Sequence, residues 1–172
     1  RTAFRHILSQ RGIEVRLNCR VARAESNAAL ATNGERIAAD AVVWATGAGA
    51  PSWLSETTLK LDKAGFIATN EHLQSLLHPE IFATGDCATI DGYVYPKSGV
   101  YAVRQGPILA CNLRRALADK PRGTYRPQPR ALALISTGDK YAVASYDTLT
   151  FQGAWVWRWK DYIDRKFMAK YA

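Results

Sequence analysis

FATGDCA, residues 82–88, is the stretch on which the reading of this chain turns. A short apolar run, Ile81-Phe82-Ala83, leads into it and a small-residue segment follows. That is the pattern of a strand ending in a tight glycine turn with a carboxylate at its tip. Gly85 lets the backbone come close to a ligand, and Asp86 can accept a hydrogen bond from a ribityl or ribose hydroxyl. The same letters equally fit an ordinary strand-turn-helix junction in which Asp86 only caps the next segment. Both readings stand on these residues alone.

Upstream, Phe4, Ile7 and Leu8 fall at helical spacing within residues 2–11, and Gly12 sits where a helix stop belongs. Ile13, Val15, Leu17, Cys19 and Val21 then alternate with polar residues, which predicts a half-buried strand. Residues 28–32 and 35–38 flank Asn33-Gly34 and predict a hairpin with a type I′ turn. Ala41-Val42-Val43-Trp44-Ala45 is apolar on both faces, as in a central strand of a covered sheet, and ends at Thr46-Gly47. A loop-like stretch with Pro51 and a Ser/Thr cluster leads to a short strand, Phe66 to Thr69.

Downstream, Tyr95 to Gly99 reads as a turn, followed by a helix over residues 100–119 with Val103, Ala110, Leu113 and Leu117 on one face. Gly106-Pro107 predicts a kink or restart within it. Residues 121–130, with three prolines and a glycine, have the composition of a linker. Residues 131–136 and 141–146 flank Thr137-Gly138-Asp139-Lys140 as a hairpin, and a third strand follows at 148–151. Trp155, Trp159, Ile163, Phe167 and Tyr171 recur at every fourth position, giving an amphipathic closing helix.

Composition narrows the class. Hydrophobic residues make up 48% and charged residues 22%, the balance of a soluble globular protein, and no apolar run approaches a membrane span. Without a leading Met or a signal peptide, the chain reads as a cytoplasmic piece of a longer protein. Cys19, Cys87 and Cys111 are far apart and form no CxxC, which argues against a disulfide framework, a zinc site or a dithiol centre. His6, His72 and His78 lack ligand spacing and read as surface or cap residues. The net charge of +8 gathers at the two ends and leaves residues 41–120 neutral. Nucleic-acid binding, which favours basic residues and aromatics on one element, is therefore the weakest class.

WATG (Trp44 to Gly47) followed by ATGD (Ala83 to Asp86) is more specific than either motif alone. The pair, within ADAVVWATGAGAP and GFIATNEHLQSLLHPEIFATGDCATI, resembles the pyridine-nucleotide-disulfide-reductase superfamily of two-dinucleotide flavoproteins. Within it the chain looks like the type II NADH dehydrogenase group. It resembles more narrowly the oxidoreductase domain fused ahead of selenide, water dikinase, through YPKSGVYAVRQGPILACNLRRAL, ALALISTGDKYAVAS and WVWRWKDYIDRKFM. The resemblance spans essentially the whole chain.

It implies an α/β fold: a partial two-dinucleotide-binding, Rossmann-like FAD/NAD(P) architecture with a C-terminal α+β hairpin-and-helix region. Residues 1–47 would be the remnant of the NAD(P)H domain and 48–120 the C-terminal part of the FAD domain. Residues 121–130 would be a linker and 131–172 the α+β region. Asp86 would bind the FAD ribityl hydroxyls on a turn kept tight by Gly85. Lys97, Ser98 and Gly99 would lie by the flavin ring. Gln105 and the helix N-terminal amides would meet its N1/O2 side, where a positive helix end stabilises reduced flavin. Trp44 and Gly47 would border the nicotinamide of NAD(P)H.

The departures matter. No Gly-x-Gly-x-x-Gly occurs in the chain, so the turns that hold both pyrophosphates are expected on a missing N-terminal half of the same protein. By itself the chain should bind FAD weakly at best. Hydride transfer to flavin needs no general acid or base, and neither a catalytic dyad nor a metal site is read here. The paired cysteines of sulfide:quinone reductases are absent, and Cys87 reads as a buried small residue. The Trp-rich closing helix suits packing over the 131–151 hairpins better than a membrane surface, although Lys and Arg beside aromatics fit an interface too. A homodimer is compatible with the resemblance, and the electron acceptor, a small molecule, is not written in these residues. The alternative is a non-catalytic binding or assembly module derived from the fold, serving selenium metabolism.

Overall fold

The computed structural model describes residues 2–170, so Tyr171 of the expected aromatic stripe lies outside the described residues. The chain divides into two compact units, residues 46–129 and a second made of 2–45 with 130–170.

In the discontinuous unit, helix α1 (Thr2–Gln10) ends as expected at Gly12. Gly12 takes a left-handed φ of 68°, its N–H bonds the Ser9 carbonyl, and the Ile13 N–H reaches back to Leu8. This Schellman closure leaves the orphan carbonyls of the last turn satisfied. Strands β1 (Val21–Glu25), β2 (Ala28–Ala31) and β3 (Arg36–Ala38) follow as an antiparallel sheet in that order. The β2–β3 hairpin forms, but not through a type I′ turn, since only Gly34 has positive φ there. Ala31 pairs with Glu35 around a three-residue loop in which the Gly34 N–H bonds the Ala31 carbonyl. The Asn33 side chain takes the Glu35 N–H, which removes the need for Asn33 to turn left-handed.

Two strand expectations fail. Residues 13–20 are irregular and only Val21 enters a strand; residues 41–45 are irregular too. Ile13, Val15 and Leu17 are exposed, and Val43 is 88% exposed. The reason is physical: a strand is stable only with a ladder partner, and among the described residues neither segment joins a ladder, although the Thr32 N–H bonds the Arg20 carbonyl.

The second part of this unit is an antiparallel meander, β4 (Ala133–Gly138), β5 (Tyr141–Tyr146) and β6 (Leu149–Gly153), closed by helix α2 (Ala154–Met168). Asp139 and Lys140 both take positive φ, so the two-residue turn sits inside the expected four-residue one. Ala142, Ala144 and Val156 form the core, with Leu132, Leu134 and Trp157 packed around it. The helix therefore docks on the meander, but not by its aromatic stripe: Trp155, Trp159 and Ile163 remain exposed. Small alanines on β5 admit the short Val156 face, where an indole would not fit.

The 46–129 unit begins with an irregular segment and a 3-10 turn (Ser52–Glu56) that buries Leu54. Here β7 (Ile67–Thr69) and β8 (Ala88–Ile90) pair in parallel, and helix α3 (Gly99–Leu117) packs beside them. The sequence does not announce strand β8; its Ala-Thr-Ile letters follow the turn too closely to show a period. Ile81-Phe82-Ala83 forms an isolated bridge to Gln74 and backbone bonds to residues 73 and 75 rather than a full strand.

Helix α3 runs unbroken through Pro107, without a restart. Proline deprives the Val103 carbonyl of its donor, but Val103 is on the exposed side, where water serves. The expected face is also wrong: Val103, Leu113 and Leu117 are exposed, while Tyr101, Gln105 and Asn112 are buried. Ile108 and Leu109 pack with Leu73, Ile90 and Tyr125. The proline-rich 121–129 stretch belongs to this unit, anchored by Tyr125 and by the Gly123 N–H bonded at 2.7 Å to Asn112.

Candidate functional site

The site grows from the Gly85–Cys87 turn, one turn of 3-10 helix between the bridge at Phe82 and strand β8. Thr84 enters it extended, and the Ala88 N–H closes it on the Gly85 carbonyl. Gly85 has φ of 71°, and a Cβ there would stand 3.4 Å from that of Ala102 on α3. Glycine is thus required by conformation, while the helix stands at van der Waals distance from where a side chain would begin. Asp86 is exposed, and its carboxylate makes no hydrogen bond or ion pair among the described residues.

Behind the turn, the Lys97 ammonium donates to the Ala88 carbonyl and, at 2.8 Å, to the Thr89 hydroxyl. It lies 4.3 Å from the centroid of the Phe66 ring and 5.4 Å from that of Tyr95. Burial lowers its pKa, opposed by the charges of Asp62, Asp86 and Cys87. Burial pulls Asp62 upward, but the Thr89 hydroxyl, the Phe66 and Ala64 amides and the Lys97 charge outweigh it, so its carboxyl stays below the usual range. The Lys97 side chain thus braces the turn from beneath.

Ser98 precedes α3 in extended conformation and gives no side-chain cap. Gly99 and Val100 open the helix at the surface, their amides unpaired among the described residues. Gln105, 1% exposed, has both ends of its amide committed: Oε1 accepts the Gly85 N–H at 2.7 Å and Nε2 reaches the Tyr95 hydroxyl at 3.4 Å. The Tyr95 hydroxyl also receives the Ile90 N–H at 3.3 Å. Cys87 is half-buried, with its thiol on the Thr84 carbonyl at 3.2 Å. Trp44 and Gly47 lie in irregular, exposed backbone, Trp44 in the discontinuous unit and Gly47 in the 46–129 unit.

The residues present fit a polyol cofactor with an electron-rich ring edge. A free carboxylate stands on a glycine turn that packs on a helix whose first amides have no acceptor.

The chain belongs to the pyridine nucleotide-disulphide oxidoreductase family, whose pattern it matches over residues 1–106. It is 26% identical over 156 residues to a type II NADH:quinone oxidoreductase of Haemophilus influenzae, covering 85% of this chain and 35% of that protein. It is 30% identical over 159 residues to ferroptosis suppressor protein 1 of Xenopus tropicalis, covering 86% of this chain and 41% of that one. The chain therefore spans well under half the length of these curated relatives.

Solved structures agree on the fold. The sulfide:quinone oxidoreductase of Aquifex aeolicus superposes with a TM-score of 0.75 at 16% identity, over 98% of this chain and 44% of that one. A NAD-dependent persulfide reductase from A. fulgidus gives 0.62 at 26% identity, over 84% and 27%. The fold is thus mixed α/β and related to Rossmann-like FAD/NAD(P) oxidoreductases. FAD-dependent and NAD(P)H-dependent proteins both occur among the homologues.

Proposed function

We propose that this chain is part of an FAD-dependent NAD(P)H oxidoreductase, in which hydride passes from NAD(P)H to FAD and electrons then leave to a small-molecule acceptor. The observation that carries the reading is the unpaired Asp86 carboxylate on the Gly85 turn, packed against α3 with its uncapped N-terminus. Asp86 would accept hydrogen bonds from ribityl hydroxyls, and Gly85 would let the backbone approach them. The Gly99 and Val100 amides would donate to the electron-rich ring edge, with the helix dipole aiding. Bound FAD itself supplies the two-electron chemistry, so no proton-transfer dyad is required of this chain.

The unpaired segments 13–20 and 41–45, with their exposed apolar residues, support a further element of the reading. They would be completed as strands by an upstream half of the same fold, which would also carry the glycine-rich pyrophosphate turns. Trp44 and Gly47 would then border the nicotinamide. A narrower kinship with the oxidoreductase domain fused to selenide, water dikinase rests on the sequence segments quoted above. The exposed Trp155, Trp159 and Ile163 support a peripheral membrane contact, although no described helix is long and apolar enough to cross a bilayer.

The test is a visible spectrum after gel filtration, with the chain produced alone and together with an upstream half. The oxidoreductase reading expects flavin absorbance to travel with the combined protein and little with the chain alone. A combined protein that stays colourless and takes up no FAD would leave the non-catalytic binding module as the better account.

A further inference from the structure

Gln105 is a long, buried amide with both of its ends used. We infer that Gln105 is a positioning residue that locks the Gly85 turn to α3, and so sets where the Asp86 carboxylate stands relative to the first amides of that helix. The inference rests on the flavin reading above.

The geometry supports it from three sides. The Gly85 N–H is the first amide of a 3-10 turn and has no carbonyl behind it to bond, and Gln105 Oε1 meets it at 2.7 Å. Gln105 is 1% exposed, so no water competes for that bond. Its other end holds the Tyr95 hydroxyl, which in turn receives the Ile90 N–H of β8. One side chain thus ties α3 to the start of the turn and, through Tyr95, to the strand that leaves it. Ala102, one turn earlier on α3, sets the spacing sterically at Gly85. Van der Waals contact alone allows the turn to slide or roll against the helix. A short hydrogen bond to a buried amide does not.

Asp86 and the α3 N-terminus must be held at a fixed separation to grip the ribityl chain and the ring edge together. Gln105 touches neither, so its effect on affinity acts through Gly85. The side-chain oxygen, not the bulk, is the part that matters.

The experiment is heteronuclear NMR on the full 172-residue chain, which reads Gly85 amide exchange and FAD titration in the same samples and tolerates weak binding. The variants are Gln105→Met, which keeps length but loses the acceptor, and Gln105→Glu, which restores an acceptor oxygen. In the wild type, Gly85 is protected, and FAD shifts the amides of residues 85–87 and 99–100. Gln105→Met exposes the Gly85 amide and weakens FAD by about tenfold, and Gln105→Glu recovers both in good part. Should Gln105→Met fail to fold, the comparison of wild type with Gln105→Glu decides: protection lost despite the retained oxygen overturns the inference. FAD binding that Gln105→Met leaves unchanged overturns it alone. Where the wild-type chain shows no FAD-dependent shift, Gly85 exchange in wild type against Gln105→Met decides the inference, equal exchange overturning it, and the flavin reading is decided separately by the visible spectrum of the combined protein.

Discussion

Asp62 and Lys97 sense each other's charge behind the glycine turn without forming an ion pair, and their protonation ties stability to pH. Asp62 accepts the Ala64 N–H at 2.8 Å and the Phe66 N–H at 3.0 Å, and its folded pKa is depressed. The stability it contributes is therefore present above the ordinary carboxylate pKa of about 3.9 and is lost as pH falls through the lower folded value. Lys97, also depressed, opposes folding while charged, and this opposition fades as pH rises through its lowered value toward about 10.4. We expect Asp62→Asn to cost about 1 kcal/mol at neutral pH, with the difference shrinking in acid. Urea unfolding of both proteins across acid to neutral pH, bracketing the ordinary carboxylate value of about 3.9, measures it. A difference independent of pH would contradict the assignment. At this scale the sequence is informative where backbone chemistry dominates: Gly85 and Asp86 occupy the turn their letters predict. It is uninformative for Lys97 and Gln105, because a flexible side chain's partner depends on packing that spacing does not encode.

Helix α3 carries the second lesson. Its hydrophobic pattern points to Val103, Leu113 and Leu117, yet the helix turns Tyr101, Gln105 and Asn112 inward. Polar residues win that face because they satisfy backbone groups that would otherwise be buried and unpaired. Asn112 alone bonds the His72 carbonyl, the Gly123 carbonyl and the Gly123 N–H. Replacing it by Leu strands the His72 carbonyl and the Gly123 N–H and leaves the Gly123 carbonyl only the His72 ring nitrogen at 3.1 Å, and a loss of about 2–4 kcal/mol is expected, read as a fall in thermal midpoint. The β4–β5 hairpin offers the opposite case. Asp139 and Lys140 hold φ of 50° and 54°, which an Asn-Gly pair adopts with less strain. Combining Asp139→Asn with Lys140→Gly places no new side chain in the core, although it removes the Arg11–Asp139 ion pair, an exposed contact of small worth. A net gain of about 0.5 kcal/mol is expected by calorimetry. The hairpin's existence is legible because turn residues and alternation are local signals. The segments 13–20 and 41–45 mislead because alternation in the first and a continuous apolar run in the second report which faces seek burial and say nothing about whether a partner strand is there.

At the scale of the whole molecule, each unit has a buried core, while residues 13–20 and 41–45 join no ladder among the described residues. Residues 13–20 and 41–45 keep their apolar side chains in solvent, while the chain spans only 35% and 41% of two relatives' lengths. The proposal that an upstream half completes them predicts rapid amide exchange in both segments for the chain alone, slowed by about tenfold or more when that half is present. Exchange-detected mass spectrometry separates this from segments that remain irregular in both cases. The family and its fold are readable from two spaced motifs, since glycine turns and buried strand ends keep their letters when loops change. The proposed acceptor is not readable, because no motif in the chain specifies one. The most direct test of the central claim is the flavin content of the combined protein, wild type against Asp86→Ala, from absorbance after gel filtration. The account predicts stoichiometric FAD in the wild type and at least about tenfold weaker retention in the variant, at equal thermal midpoints. Equal flavin content in the two proteins, or none in the wild type, would contradict it.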